Sequence, residues 1–456
     1  MRTTQKRDDD TDHDTDETTI FARNTNRVVK TGKSNEFTLA FGSCNKQFRD
    51  MSLWKDVADE RADAFAWLGD VVYADEKVRL PDGSKARVYK GEDAHLEAYA
   101  EMKAHPEYAR IRANADVVGT WDDHDYGFNN AGKHWSHKDF AKKAFLDFLD
   151  EPEGSERRTR DGGVYDAVDY VNDEGGRVRV ILLDLRWDLE ESDESSSGSF
   201  MSETQWAWFA DMLAAEPRPD VTIIGSGIQV LEAPHLILQP LAKYFEPARL
   251  IAEGLENWSR NKREKDRLFE TIKSTKSRVV FISGDVHHGQ IAVEPAGCYL
   301  PYKTIDITAS GFTHTPFREP REPIRTLSLF ATPRYFNSWI LPAFDRWTGI
   351  NYGVIEVDWK RGVVRAMVKS TGRETVLEES MAFADFDEDA PEKVEHRMGC
   401  SPIIEMSYEE RGVRIVLFFA WLASVYAAHV VVPAACIYVT YRSLKRRAAT
   451  KRTKVD

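Results

Sequence analysis

The sequence predicts an α/β domain with one mixed sheet or two sheets, on three observations. Short β-rich apolar runs alternate with helical patterns from residue 37 onward. Two later runs, 353–357 and 363–368, flank Asp358-Trp359-Lys360-Arg361-Gly362 and read as a hairpin, which adds antiparallel pairing. Polar donors recur at the carboxyl ends of the apolar runs, where open α/β sheets place their binding crevice.

The elements follow in chain order. Residues 1–36 hold the acidic stretch 8–17 (DDDTDHDTDE), which repels itself and predicts a disordered tail. The amino terminus shows no apolar core of a secretory signal. Strands are expected at 37–41 (FTLAF), 64–68 (AFAWL), 116–120 (DVVGT), 178–183 (VRVILL), 221–225 (VTIIG), 279–283 (VVFIS) and 305–308 (IDIT). Helices are expected at 53–61, 94–113, 137–149, 204–214 and 262–274, the fourth opened by a Ser202/Gln205 capping box. Residues 190–199 (EESDESSSGS) read as a solvated loop, and the aromatic-rich 335–347 as packed core or a lid. The domain spans 37–385 without an internal repeat, and 386–412 is a polar linker.

Residues 413–441 predict a transmembrane helix. The 27 residues from 415 to 441 contain no Asp, Glu, Lys or Arg. As a helix they reach roughly 40 Å, against about 30 Å of hydrocarbon. The tail 442–456 carries seven basic residues against one acid, which by the positive-inside tendency keeps it cytosolic. The sequence leaves the side of the large domain open. The sequon Asn257-Trp258-Ser259 matters only on the lumenal or external side, and reads first as a chance match.

In a chain of 456 residues, 42% hydrophobic content supports a sizeable core, and a net charge of −13 argues against a nucleic-acid partner. Four cysteines are too few for a disulfide framework, although Cys298 and Cys400 can pair in an oxidising compartment.

Four strand ends carry chemistry. FTLAF leads into Gly42-Ser43-Cys44-Asn45, and AFAWL into Gly69-Asp70-Val71-Val72-Tyr73. DVVGT leads into Trp121-Asp122-Asp123-His124-Asp125, and VVFIS into Gly284-Asp285-Val286-His287-His288. Taken singly, each has a plainer explanation: a Gly-Asp turn, a helix cap, a satisfied histidine pair, a small core thiol. Together they deliver thiol, carboxylate, phenol and imidazole to one edge, with Gly42, Gly69 and Gly284 permitting close backbone approach to an ion or phosphate. Such a set suits two-metal hydrolysis, with a shared carboxylate between cations and an imidazole as leaving-group acid. Thiolate and phenolate favour Fe³⁺; carboxylate and carboxamide favour a hard divalent ion such as Ca²⁺ or Mg²⁺.

These motifs, with Asp184-Leu-Arg186 and Thr204-Gln-Trp206, resemble the PhoD-like alkaline phosphatase and phosphodiesterase family of the metallophosphatase superfamily, in order over about 37–370. The resemblance implies a four-layer α/β/β/α sandwich with two mixed sheets. It implies Cys44, Asp70, Tyr73, Asp123, Asn129, Asp285 and His287 as metal ligands, with Asp70 bridging and Asn130 a close second to Asn129. His124 takes the leaving-group acid's place, and Arg186 is a candidate phosphate clamp or a structural ion pair with Asp184 or Glu190. The implied cofactors are two or more metal ions, Fe³⁺ with Ca²⁺ or with Mg²⁺, Mn²⁺ or Zn²⁺. The expectation is a membrane-anchored metal-dependent phosphatase or phosphodiesterase acting on a small-molecule or lipid phosphate ester. The alternative is a non-catalytic membrane-anchored binding module on a degenerate metallophosphatase fold.

Overall fold

A computed structural model of the chain describes residues 27–32, 35–190, 198–231, 256–315 and 343–387, with isolated positions between 413 and 442. The strands in the first half are β1 (Arg27–Lys30), β2 (Glu36–Gly42), β3 (Ala64–Leu68), β4 (Asp75–Arg79), β5 (Lys85–Tyr89), β6 (Asp116–Thr120), β7 (Asp166–Val171) and β8 (Arg177–Leu182). Those in the second are β9 (Val221–Ser226), β10 (Val279–Ser283), β11 (Gly289–Glu294), β12 (Thr304–Ala309), β13 (Ala343–Trp347), β14 (Tyr352–Asp358), β15 (Val363–Lys369) and β16 (Thr375–Ala382). The helices are α1 (Leu53–Asp59), α2 (Glu92–Lys103), α3 (Pro106–Asn114), α4 (Asp123–Tyr126), α5 (Lys138–Phe148), α6 (Glu156–Thr159), α7 (Glu203–Ala214) and α8 (Lys262–Thr275).

Two mixed sheets form. One runs β16-β15-β14-β2-β3-β6, the other β1-β7-β8-β9-β10-β12-β11-β13. Side chains alternate across the first sheet as a pleated strand requires. Phe37, Leu39 and Phe41, with Ala64, Ala66 and Leu68, enter one core together with β8, β9 and β10. Ala40, Phe65, Trp67 and Val354 enter a second core with α1, α2, α3 and α5. The opposite sheet takes its helical cover from α7 and α8, whose Phe209 and Leu268 join the first core. Helices thus pack against both sheets, and the two sheets share the first core.

Every expected strand of the core is present, as is the hairpin, whose register runs from Tyr352↔Lys369 to Asp358↔Val363. Several expectations are corrected. The tail was expected to run disordered to residue 36, but Arg27–Lys30 pairs in parallel with β7. The single helix at 94–113 is two, because Pro106 lacks an N–H and holds His105 extended at φ −62°, ψ 125°. The β4–β5 hairpin was missed; its strands are too charged to read as apolar runs, though Pro81-Asp82-Gly83 marked the turn. At α7 the Ser202 hydroxyl accepts from the Gln205 amide at 3.4 Å, but the Gln205 side chain donates to the Asp184 carbonyl at 2.9 Å.

Asn257 is buried, and its side chain accepts from the Ser259 amide at 3.0 Å, so the sequon is a structural cap. Cys298 is disulfide-bonded and Cys44 is free; Cys400 and Cys436 lie outside the described residues. So do residues 191–197 of the solvated loop and 335–342 of the aromatic stretch, whose last five residues form edge strand β13. Most of 386–456 also lies outside them, and the expected transmembrane helix with it. No helix among the described residues is long and apolar enough to cross a membrane.

Candidate metal centre

Parallel strands β2, β3 and β6 of one sheet and β10 and β12 of the other end side by side. Gly284 is where the sheets meet: a Cβ there would sit 2.6 Å from the Leu68 carbonyl oxygen and 2.7 Å from Ser43 Oγ. Gly69, at φ +84°, has no room for a Cβ because Asp122 Cβ would be 2.2 Å away. These two glycines therefore make room for neighbouring strand ends, and Gly42 for the Phe312 ring.

The turns after these strands are strained. Cys44, Asp70, Asn130, Asp285 and His287 all have positive φ, between 53° and 71°. Such conformations cost L-residues about 1–3 kcal/mol each, and collect at functional sites where the surroundings enforce them.

Two groups of donors converge. Ligand atoms of Cys44, Asp70 and His287 lie within 4.8 Å of one another, and so do those of Asp70, Asp123 and His124. Asp70 belongs to both. Its Oδ2 accepts from Tyr73 Oη at 2.8 Å and from Cys44 Sγ at 3.3 Å, while Oδ1 accepts from the His124 amide at 3.3 Å. Tyr73 Oη lies 3.4 Å from His287 Nε2. Asp285 is partly buried, and its carbonyl is 3.5 Å from Cys44 Sγ. Asn130 donates its backbone amide to Asp123 Oδ2 at 2.7 Å, and the Asn129 side chain donates to Asn130 Oδ1.

Cys44, Asp70, Tyr73, Asp123, His124 and His287 are thus brought together, with Asn129 one residue removed. Arg186 is placed differently. Its guanidinium is buried and taken up by Asp122 Oδ1 and Glu256 Oε2, each at 2.6 Å, rather than by Asp184 or Glu190. Asp184 instead accepts from the Arg186 and Trp187 amides at 2.8 and 2.9 Å and orients that turn.

Several functional residues had escaped the sequence reading. Asp75 Oδ1 lies 2.8 Å from His124 Nδ1, and Asp75 Oδ2 accepts from Arg87 at 2.7 Å. That leaves His124 Nε2 toward Asp123, 3.9 Å away. Asp125 binds no expected ligand; it ties the two acidic turns together by accepting from the Val71 amide at 2.9 Å and the Asp122 amide at 3.2 Å. Ser310 Oγ is 2.9 Å from Cys44 Sγ and accepts from the His287 amide at 2.8 Å. The His314 ring centroid lies 4.3 Å from that of His287, with Nε2 buried and without a hydrogen-bond partner among the described residues. The strand-end rule, applied once more after 305–308, points to Ser310 and His314. Nothing local marked Glu256.

Electrostatics follow from crowding. Burial, then Asp70 and Asp285, push the Cys44 thiol well above its usual value. Burial and Asp123 raise the Asp70 carboxyl to about 6, against the opposing pull of His124. Burial works against a charged His124, but Asp123, Asp70 and Asp75 overcome it and lift the imidazole to about 9. Burial, Lys46 and His124 hold His287 neutral, at about 3. Burial, with Glu256, Asp123 and Asp70, pushes the Asp285 carboxyl well above its usual value, and burial raises Asp122 likewise, while Asp123 is held low against burial by His124 and Arg186. A bound cation reverses this logic: it neutralises the carboxylates and accepts a deprotonated thiol or phenol. The donor set and its charge deficit fit metal ions.

A family model described as PhoD-like phosphatase matches residues 39–296. No curated protein matches the chain.

Proposed function

The chain belongs to the PhoD-like phosphatase family, whose model covers more than half of it, and from that membership we propose a metal-dependent phosphoric ester hydrolase with His124 as the leaving-group acid. The observation that carries the reading is the sharing of Asp70 between two metal-capable groups. Cys44, Asp70, Tyr73, Asp285 and His287 would hold one ion; Asp70 and Asp123, with Asn129 beside them, the other. Bound there, the ions supply Lewis-acid neutralisation of phosphoryl charge and acidify water for attack. An iron(III) ion suits the thiol and phenol, and Ca²⁺ or another hard divalent ion suits the carboxylates.

The chain's own residues do the rest. Asp75 holds His124 Nδ1, so that Nε2 faces the site and hands its proton to the departing oxygen. Arg87, on the second strand of the β4–β5 hairpin, fixes Asp75 in turn. Arg186 positions Asp122 and Glu256 beside the acidic turns, its guanidinium being taken up by those carboxylates. Phe312 stacks on Trp54 and meets Trp67 edge-on, packing one side of the Cys44 turn.

We also place the domain at a membrane, on its oxidising side. The apolar run 415–441 supports an anchor, as do Val413, Val416, Leu417 and Tyr438, helical positions with more than half of their surface exposed. The Cys298 disulfide supports an oxidising compartment.

The test is turnover of p-nitrophenyl phosphate and bis(p-nitrophenyl) phosphate by full-length protein purified without chelators, with metal content measured alongside. His124→Ala should lower kcat by about 10²–10⁴-fold on alkyl esters and less on p-nitrophenyl esters, whose leaving group needs little protonation. Alkyl-ester turnover untouched by this change, or absence of stoichiometric metal, would sink the reading.

A further inference from the structure

The mouth of the site carries positive charge that the proposed chemistry leaves unused. Lys46, two residues after Cys44, places Nζ 4.6 Å from the centroid of the Tyr73 ring. Arg49 is exposed on the same loop. The β4–β5 hairpin is tied to the same site, because Arg87 holds Asp75 and Asp75 lies 2.8 Å from His124 Nδ1. Its register sets Lys77 directly opposite Arg87. Like charges facing each other across a strand pair are destabilising. Neither Arg49 nor Lys77 has an ion-pair partner among the described residues. The nearby carboxylates do not cancel the charge. Asp75 is spent on Arg87 and His124, Asp82 accepts from Ser84 in the turn, and Glu76 alternates onto the other face. In a chain of net charge −13, a local cationic surface is not a by-product of composition.

We propose that Lys46, Arg49 and Lys77 form a subsite for a second anionic group carried by the leaving-group portion of the substrate. This rests on the hydrolase reading above. The side follows from the hairpin, which carries Lys77 and sets Asp75 against His124, the group that protonates the departing oxygen. The substrate class is a phosphate ester whose alcohol bears a further phosphate or carboxylate.

Glycerol 3-phosphate and 3-phosphoglycerate differ at that place by one carboxylate, and both release inorganic phosphate. The metal-loaded full chain should favour 3-phosphoglycerate about tenfold in kcat/KM. Lys77→Ala and Arg49→Ala should each reduce that ratio by about threefold to fivefold, and added salt should compress it in the wild type. Lys46→Ala should do the same, with Lys46→Arg restoring the preference. Equal losses on both substrates would mean a structural role and overturn the proposal. Turnover of p-nitrophenyl phosphate with no preference between the two alcohols would overturn it while leaving the hydrolase reading intact. Failure on all three substrates would remove both.

Discussion

The cluster around Arg179 and the cluster around Asp70 are both buried, and their charges are arranged in opposite ways. On β7 and β8, Asp169 receives Arg179 through Nε at 2.7 Å and Nη2 at 2.9 Å, and Arg177 at 2.7 Å. The remaining Arg179 donors go to the carbonyls of Met212, Ala215 and Pro217. Nothing there waits for a ligand. At the other cluster, carboxylates press on one another, a thiol is held against an acid, and five turn residues sit at positive φ. Opposite charges buried with their hydrogen bonds made serve stability; like charges crowded together cost stability, as a site prepared for a ligand would.

Breaking each cluster should give opposite outcomes. Asp70→Asn should remove the shared carboxylate, lose metal, and lower kcat/KM by about a thousandfold or more. In the metal-free protein the same change should hold or raise the melting temperature, because it removes a crowded buried charge. Metal-free Asp70→Asn melting well below wild type would erase the contrast between the two clusters. Asp169→Asn should cost about 3–5 kcal/mol in denaturant unfolding, since it strands two arginines, while turnover per folded molecule stays at the wild-type level in the cold. An unfolding free energy within error of wild type would show that the Arg179 cluster is not the structural partner it resembles.

The smallest expected effect comes from a buried group with no counter-charge. His95 stacks on Tyr99, and burial lowers its imidazole from 6.5 to about 4. Between those values the unfolded chain takes up a proton that the native protein refuses, so His95 costs stability as pH falls. The loss reaches about 3 kcal/mol at the acid end. His95→Phe should flatten the stability curve from pH 6.5 down to about 4 relative to wild type. Parallel curves for the two proteins would mean that His95 is protonated in the native state.

Legibility followed the range of the interaction. The strands at 64–68, 116–120 and 279–283 were readable to the residue, because apolar runs bounded by glycine and acids are local signals. Cys44, Asp70, Asp123 and His287 were readable for the same reason, as donors immediately after such runs. The β4–β5 hairpin was not, since its strands are held by a turn and by Asp75 reaching across to His124 rather than by apolar periodicity. The role of Arg186 was also hidden: the sequence offered Asp184 and Glu190 as partners, and folding supplied Asp122 and Glu256 from 64 and 70 residues away.

By itself, then, the chain order of apolar runs and polar strand ends determined an α/β domain with some antiparallel pairing and the kinds of atom that would meet at one edge. Periodicity and turn chemistry act over a few residues and are written where they act. Only the tertiary structure decided that Asp70 stands in two donor groups at once, that Asp75 aims His124, and that Arg186 is spent within the protein. Those outcomes depend on distances between segments far apart in sequence, and such distances exist only once the two sheets have closed on each other.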